Sequence, residues 1–574
     1  MNLENNDCPV TLFNHQVNHV KNIWNLIVDK GAFSYLDTSE VGTGKTVTSL
    51  MIAWWLQKIY KIKVMIVAPS ELSLNNDDGW LKWAETFGVN VDVSITYSKL
   101  IGSKSRKTGK YTVKHPWLIP NNDKKKWETS PEFEQLCAYG VFIIFDESHK
   151  TKNQSITHYA CAALVRTAKK YRKRSRVALL SFTPGDKSVH YPQILRMSGL
   201  VTSLNLYHHV PFTSEYEWED YGFGEMVRII RKLDKSTNAR NKIEEAMVKI
   251  SAARAANICK ELYDQYIGSL ITFAMPKPKT EYKRNMMNAF LDTDEASLEL
   301  INEGIMMLTN AVKWDGDDVG DRREWSLGGI TNGLKTIEQG KLMSIARYVR
   351  KQSKKFPNKK FVICCGARDT RNHTFLQKIL YKEYCMDSIK NTLYELRKTN
   401  KLWKNVNKDI INLICDKYMD QKVYPDILNG KIKKKDRVNI VKKFQQNNNN
   451  KWCLIMSPGV GSESISLGDK HGDHPREMLI IPDYYFGRVV QSTGRIDRVG
   501  VKSDVKVMLV YSRQGMLETN ILNSMIRKTK TARALLAEGQ DVRFPGEYPF
   551  TIFGKKDEQY HNLKNELEDL QRNT

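Results

Sequence analysis

Residues 32–60, AFSYLDTSEVGTGKTVTSLMIAWWLQKIY, constrain this chain more than any other stretch. They read as a short apolar strand, a tight loop from Ser39 to Thr46, and a helix with a strongly apolar face. Gly42 and Gly44 let the backbone curl until successive N–H groups point inward and cradle phosphate oxygens. The helix beginning near Lys45 adds the positive end of its dipole. In a loop of this kind Lys45 reaches the β- and γ-phosphates of a nucleoside triphosphate, and the Thr46 hydroxyl holds Mg²⁺. Gly42, Thr43, Gly44, Lys45 and Thr46 are therefore the candidate nucleotide-binding residues. The general phosphate-loop pattern has Gly where Ser39 stands. A Gly-rich turn without a ligand is the plainer alternative, but strand, loop and helix follow in the order a phosphate site requires.

A second motif supplies the acids. Residues Tyr139 to Phe145 form a continuous apolar strand that delivers Asp146, Glu147, Ser148 and His149 at its end. A carboxylate suits Mg²⁺, so Asp146 is the candidate metal ligand beside Thr46. Glu147 can orient or deprotonate an attacking water. An acidic pair at a strand end can also be a helix cap. After a phosphate loop and an intervening strand, it reads as the hydrolytic half of an ATPase, with ATP and Mg²⁺ as the expected ligands.

Charge bounds the partner. The formal net charge is +25 over 574 residues. Charge of that sign and size favours a polyanion, and nucleic acid is the commonest. A solvated basic surface is the alternative. The nine cysteines contain no C-x-x-C pair, which suggests a reducing, intracellular setting and no zinc site. His15 and His19, four residues apart, lack a third ligand nearby and read as a polar helix face. The N-terminus lacks a basic, apolar signal sequence, and no apolar run approaches a membrane-spanning length.

Along the chain, Leu12, Val20, Ile23, Trp24 and Ile27 recur at helical spacing, and Gln16 on that helix is a candidate reader of the adenine edge. Lys63 to Pro69 and Val91 to Tyr97 read as strands, with an amphipathic helix, Trp80 to Phe87, between them. Residues 101–127 are basic and turn-rich, an expected exposed loop. A basic run, Lys169 to Arg176, precedes the strand Val177 to Leu180. In residues 185–335 helical patterns recur, clearest from Ile243 to Leu262, with an acidic, Gly-rich break at 315–321. Strands return at Lys360 to Cys365, Trp452 to Met456 and Val505 to Tyr511.

The motifs, taken together, resemble those of superfamily 2 helicases. SEVGTGKT and DESH resemble motifs I and II, and the following Lys150-Thr151-Lys152-Asn153 resembles the Swi/Snf-type branch. Ser181-Phe182-Thr183-Pro184 is similar to motif III, with Phe182 where the family often has Gly. The resemblance implies that Ser181 and Thr183 couple the ATP site to nucleic acid. Leu428-Asn429-Gly430, Arg437 and Phe444 resemble the family's L-x-G…R…F segment. The cluster from Ser457 to Leu467 resembles motif V, which implies backbone-binding roles for Gly459, Gly461 and Ser462. Gln491, Gly494, Arg495, Arg498 and Gly500 match motif VI, Q-x-x-G-R-x-x-R-x-G. Arg495 and Arg498 are expected on one helix face, and the resemblance gives them the part of arginine fingers at the γ-phosphate. Gln491 joins the coupling residues.

What the resemblance implies is an α/β protein with two RecA-like parallel-sheet domains and a mainly helical insertion, ATP lying between the domains. The expected division is 1–200 for the ATP-binding domain, 201–335 for the insertion, 336–530 for the second domain and 531–574 for a tail. The implied activity is ATP hydrolysis coupled to movement on nucleic acid, with DNA favoured as the partner. A strand-separating DNA or RNA helicase remains open, as does a transcription-associated ATPase. The compact Asn- and Lys-rich chain looks most like the helicases of large DNA viruses or linear plasmids.

Overall fold

The computed structural model describes residues 10–75, 79–121, 126–210, 216–233, 238–276, 280–291, 293–311, 327–365, 370–381, 425–448, 452–458, 465–482, 486–498, 500–512, 515–537, 540, 542–553, 565, 568–569 and 571–572. The chain forms two compact units. The first comprises Met1–Pro278 and Lys530–Val542, the second Lys279–Thr529 and Arg543–Thr574.

The first unit is built on six parallel strands: β1 (Ser34–Asp37), β2 (Lys63–Ala68), β3 (Val93–Thr96), β4 (Val141–Asp146), β5 (Arg176–Leu180) and β6 (Thr272–Phe273). Their order across the sheet is β6-β1-β5-β4-β2-β3. The central strands are apolar almost without interruption because helices cover both faces. On one face Tyr35, Ile66, Ile144 and Ala178 pack with Leu50 and Ile52 of the helix Lys45–Tyr60. On the other, Leu36, Met65, Ile143 and Val177 pack with Leu164 and Ala168 of the helix Ile156–Lys170.

Two local expectations change. Residues 101–127, expected as an open loop, contribute two short antiparallel hairpins, Ser103–Lys104 with Tyr111–Thr112 and Leu118–Asn121 with Lys126–Thr129. Buried Trp127 pins the second hairpin to the core. The helical pattern from Ile243 to Leu262 divides into helices Asn238–Met247 and Ala252–Leu262. The break falls at Ser251, whose hydroxyl accepts from the Arg254 N–H and caps the second helix.

The second unit carries seven parallel strands: β7 (Arg284–Leu291), β8 (Lys360–Cys364), β9 (Asp426–Leu428), β10 (Cys453–Met456), β11 (Arg476–Ile480), β12 (Val505–Tyr511) and β13 (Phe550–Phe553). Their order is β9-β10-β8-β11-β12-β7-β13. Residues 201–335 are thus shared: those up to Pro278 belong to the first unit, and β7 lies inside the second sheet. The C-terminal stretch is shared too, since 530–542 joins the first unit and β13 pairs with β7. Helices Glu295–Asn310 and Leu327–Lys355 pack closely enough that a Cβ on Gly304 would stand 2.7 Å from the Gly333 carbonyl oxygen. The acidic break at 315–321 and residues 382–424 lie outside the described residues. No helix among the described residues is long and apolar enough to cross a membrane.

Candidate nucleotide site

Three adjacent strands of the first sheet end level with one another. Asp37 of β1 and Asp146 of β4 both pair in register with Leu180 of β5. The residues that leave the sheet there are Thr38, Ser181 and Glu147, so the phosphate loop, motif III and motif II emerge side by side. A parallel sheet places its working loops at the carboxyl ends of its strands.

The loop itself depends on Gly42 and Gly44, whose φ angles are +86° and +102°. A Cβ on Gly44 would stand 2.3 Å from Gln16 Nε2, so a side chain there would push the Gln16 carboxamide off the loop as well as strain the backbone at that φ. Lys45 Nζ donates to the carbonyls of Ser39 (2.7 Å) and Glu40 (3.0 Å). The Thr43 hydroxyl donates to the Glu40 carbonyl at 2.9 Å, and Thr46 lies in the first turn of the helix Lys45–Tyr60, half-buried. Gln16 is buried against the loop. Its Nε2 donates to the Thr43 carbonyl and its Oε1 accepts from the Phe13 N–H. In this structure its carboxamide therefore holds the loop and its own helix terminus, the work of a positioning residue.

Asp37 and His19 were not legible as a pair in the sequence. His19 Nε2 lies 3.0 Å from Asp37 Oδ2, both buried, and Asp37 Oδ1 accepts from the Ser39 N–H. Burial works to raise the Asp37 carboxyl, but His19, Lys45 and the Ser39 amide together hold it below the usual carboxylate range. The loop is thus tied at its first residue to a buried, hydrogen-bonded His19–Asp37 anchor.

At the end of β4, the Trp80 indole N–H donates to Asp146 Oδ2 at 2.9 Å, and the Tyr97 hydroxyl donates to the Asp146 carbonyl at 2.9 Å. Burial, and then the neighbouring Glu147 carboxylate, push the Asp146 carboxyl up to about 7; Lys45 acts in the opposite sense. Such a carboxylate fits a divalent cation, because added positive charge relieves the desolvation. Thr46 and Asp146 are the residues of this chain that would hold Mg²⁺, with positions left for phosphate oxygens and water. Among the described residues no cluster of three or more His, Cys, Asp or Glu forms a separate metal site.

Glu147 adopts φ +51°, a left-handed conformation that costs a non-glycine residue roughly 1–2 kcal/mol. That turn aims its side chain at His149, whose Nδ1 lies 3.1 Å from Glu147 Oε2 and 3.2 Å from Ser181 Oγ. Thr183, also buried, follows two residues later. Beyond them Lys152 pairs with Asp186 at 2.6 Å, His190 Nδ1 lies 3.2 Å from the same carboxylate oxygen, and His190 Nε2 meets Asn153 Oδ1 at 3.2 Å. The DESHKTKN segment and the turn after motif III are therefore stitched together by side chains.

In the second unit, the helix Phe486–Thr493 carries buried Gln491 and ends before Gly494. Arg495 and Arg498, expected on a helix face, occupy the turn that follows. Arg495 is 2% exposed, and Arg498 Nε donates to the Gly494 carbonyl at 3.0 Å. Asp497 between them accepts from the Tyr282 hydroxyl at 2.7 Å and lies 3.1 Å from Arg284 Nε. Nothing in the motif's wording singled out that anchor. Arg437 donates to the Ile432 and Gly430 carbonyls and so braces the turn after β9, while Phe444 is buried with the Lys360 and Arg476 side chains over its ring. Gly459, Gly461 and Ser462 lie outside the described residues.

The family described as the res subunit of type III restriction enzymes matches residues 9–184. A putative ATP-dependent RNA helicase of Acanthamoeba polyphaga mimivirus is 24% identical over 544 residues, covering 92% of this chain and 84% of its own. Among solved structures, the Sulfolobus solfataricus SWI2/SNF2 ATPase core in complex with dsDNA aligns at a TM-score of 0.28 and 16% identity, over 93% of this chain and 98% of that one. S. cerevisiae Dbp5 bound to RNA and ADP BeF3 aligns at 0.36 and 10%, over 97% and 93%.

Proposed function

We propose that this chain, a superfamily 2 helicase-type ATPase, couples ATP hydrolysis to movement along DNA. The observation that carries the reading is His149, one nitrogen of which lies within hydrogen-bonding distance of both Glu147 and Ser181. Glu147 orients and deprotonates the attacking water. Lys45 leaves the carbonyls of Ser39 and Glu40 for the β- and γ-phosphates, and the loop amides bind the remaining oxygens. Thr46 and Asp146 would hold a magnesium ion, which would supply positive charge to the triphosphate. Arg495 and Arg498 of the second unit neutralise the charge that develops on the γ-phosphate. When hydrolysis removes that phosphate, the Glu147–His149–Ser181 contacts change, and motif III relays the change to the nucleic acid. Gly459, Gly461, Ser462 and Gln491 act on the backbone side of that relay.

The net charge of +25 suits a nucleic-acid track of either kind, and the Lys152-Asn153 tail of motif II favours DNA. A second reading, an RNA helicase, is favoured by the printed name of the mimivirus relative. ATPase rates with duplex DNA, single-stranded DNA and RNA separate the two, together with strand release from a triplex and from a tailed duplex. Duplex stimulation with triplex displacement is the expected result. Stimulation by RNA alone, with efficient opening of a tailed duplex, makes the RNA helicase the correct account. Lys45→Ala, which lacks the phosphate cation, is the inactive control in every arm.

A further inference from the structure

The amino ends of four adjacent strands in the first unit form one basic surface. Across β1, β5, β4 and β2 the strands start level, because Ser34 pairs with Val177, Arg176 with Phe142, and Val141 with Lys63. The segments leading into them are residues 29–33, 171–175, 139–140 and 58–62. They bring Lys30, Lys58, Lys61, Arg172, Lys173 and Arg174, all exposed, and a single carboxylate, Asp29. This surface lies one strand length, about 16 Å, from the end of the sheet that carries the ATP site. Nothing in the ATPase chemistry reaches it.

Helix ends account for part of the charge. Lys58 and Lys170 occupy last turns, where a cation answers the helix dipole. Arg172, Lys173 and Arg174 lie beyond Lys170, where that benefit falls off, and they form no ion pair among the described residues. Glu134 and Asp92, at the same edge, are engaged by Lys170 and Lys63. Burial, and then the charge of Arg172, push the Lys169 ammonium down to about 8, with Glu225 acting in the opposite sense. A phosphate bound there would relieve the repulsion from Arg172.

The cations stand on a braced turn. The N–H groups of Arg174 and Ser175 both donate to the Tyr171 carbonyl at 2.9 Å. The buried Ser175 hydroxyl donates to the Cys137 carbonyl and accepts from the Val141 N–H, which ties the turn to β4. Arg176 donates through Nε to the Ile27 carbonyl at 2.8 Å and through Nη1 to the carbonyls of Arg172 and Ser175. A turn fixed in advance loses little entropy on binding.

Aromatic rings lie among the cations. Tyr60 and Tyr139 are 52% and 53% exposed, and Lys63 Nζ stands 5.7 Å from the centre of the Tyr139 ring. Cations with exposed rings between them suit a nucleic-acid strand, whose phosphates pair with the cations while unstacked bases lie on the rings. An acidic peptide answers the cations and gives the rings nothing to stack on.

We propose that the amino-end surface of the first sheet is a second nucleic-acid contact, gripping the backbone through Arg172, Lys173 and Arg174 with Tyr60 and Tyr139 as stacking platforms. It belongs to one unit and includes no residue of the ATP site, so its grip persists through the hydrolysis cycle. It rests on the functional reading above only in taking nucleic acid as the partner.

The test measures binding of a fluorescent single strand and of its duplex to the full chain, over about 50 to 200 mM salt, with no nucleotide and with a non-hydrolysable ATP analogue. The combined variant Arg172→Gln, Lys173→Gln, Arg174→Gln should keep its thermal midpoint and its ATPase rate without nucleic acid. Its affinity should fall about tenfold or more in both nucleotide states. The log–log salt slope should flatten by about 2 on the single strand and about 3 on the duplex, the share of three phosphates. Arg172→Lys with Arg174→Lys keeps every charge and should keep the slope. Tyr60→Ala with Tyr139→Ala should cost the single strand about tenfold at an unchanged slope, and the duplex much less. Unchanged affinity and slope in the glutamine variant, or single-strand binding untouched by the tyrosine variant, overturns the proposal. Equal losses in the lysine and glutamine variants overturn it too, since the turn would then be structural. Loss of polyglutamate binding with nucleic-acid binding intact assigns the surface to an acidic protein instead. A wild-type ATPase that nucleic acid does not stimulate sinks the functional reading and leaves this binding comparison standing.

Discussion

His149 Nδ1 lies 3.2 Å from Ser181 Oγ, and the same nitrogen lies 3.1 Å from Glu147 Oε2. One imidazole thus joins the ends of β4 and β5. The ring is largely desolvated, which depresses its pKa despite the Glu147 contact, so it works as a neutral hydrogen-bonding group. Ser181→Ala leaves Glu147 and His149 in place and removes the link to motif III. ATP hydrolysis without nucleic acid should change little, while its stimulation by nucleic acid falls about fivefold or more, the size of a typical coupling term. Steady-state rates with and without DNA check this. Loss of both rates in parallel would assign Ser181 to the chemistry itself.

Trp80 is 66 residues from the carboxylate it serves. Its indole N–H fixes one Asp146 oxygen, and partners of metal-binding carboxylates typically contribute 10- to 100-fold to metal affinity. Trp80→Phe keeps most of the buried volume and deletes the donor. The magnesium concentration needed for half-maximal ATPase should rise about tenfold or more, with the maximal rate at saturating magnesium largely restored. A magnesium titration at fixed ATP separates this from a general loss of fold.

The His19–Asp37 pair has no exposure to share its charge with water. Removing one member of a buried pair leaves the other uncompensated, at a cost of about 3–5 kcal/mol. His19→Ala should therefore lower the thermal midpoint of the first unit and weaken ATP binding, because Asp37 also holds the Ser39 N–H. Asp37→Asn, which retains an acceptor for that amide and carries no buried charge, should do less damage. Calorimetry of both variants decides the order.

Which of these residues the sequence revealed follows from how each is constrained. Lys45, Asp146, Glu147, Arg495 and Arg498 stood out in the sequence as candidates because phosphate and metal chemistry fix residue types at short spacing within one segment. His19, Asp37 and Trp80 act across 18 and 66 residues, and periodicity carries no information about such pairings. The strands divide in the same way. Continuous apolar runs such as β4 announce themselves, whereas β6 has two residues and β13 four. β7 contains Asn285 and Asn288, residues depleted from strands. Asn288 is tolerated there because its Nδ2 donates to the Tyr548 carbonyl just ahead of β13. The helix expected under Arg495 and Arg498 stops at Thr493, before Gly494, a residue that weakens helices by roughly 1 kcal/mol relative to Ala.

His158 makes the first unit's stability depend on pH. The ring is fully buried in the helix Ile156–Lys170, with Nδ1 2.9 Å from the Thr151 carbonyl, so Nδ1 carries the proton and donates. Burial, and then the positive charge of Arg196, lower its pKa from 6.5 to about 4. The folded state therefore holds His158 neutral while the unfolded chain takes up a proton below pH 6.5. Its contribution to stability is complete above pH 6.5 and is lost progressively as pH falls toward 4. At pH 5 the loss relative to pH 8 is about 2 kcal/mol from this group alone. His149 and His190, also depressed by burial, add losses of the same sign. Asp37 and Asp186, held below the usual carboxylate range, add theirs only at lower pH. His158→Asn isolates the term, since its amide can donate to Thr151 and never charges. Denaturant unfolding at pH 8 and pH 5 should show the variant losing about 2 kcal/mol less than wild type over that interval. Equal losses in the two proteins would mean that His158 takes up its proton without leaving the fold.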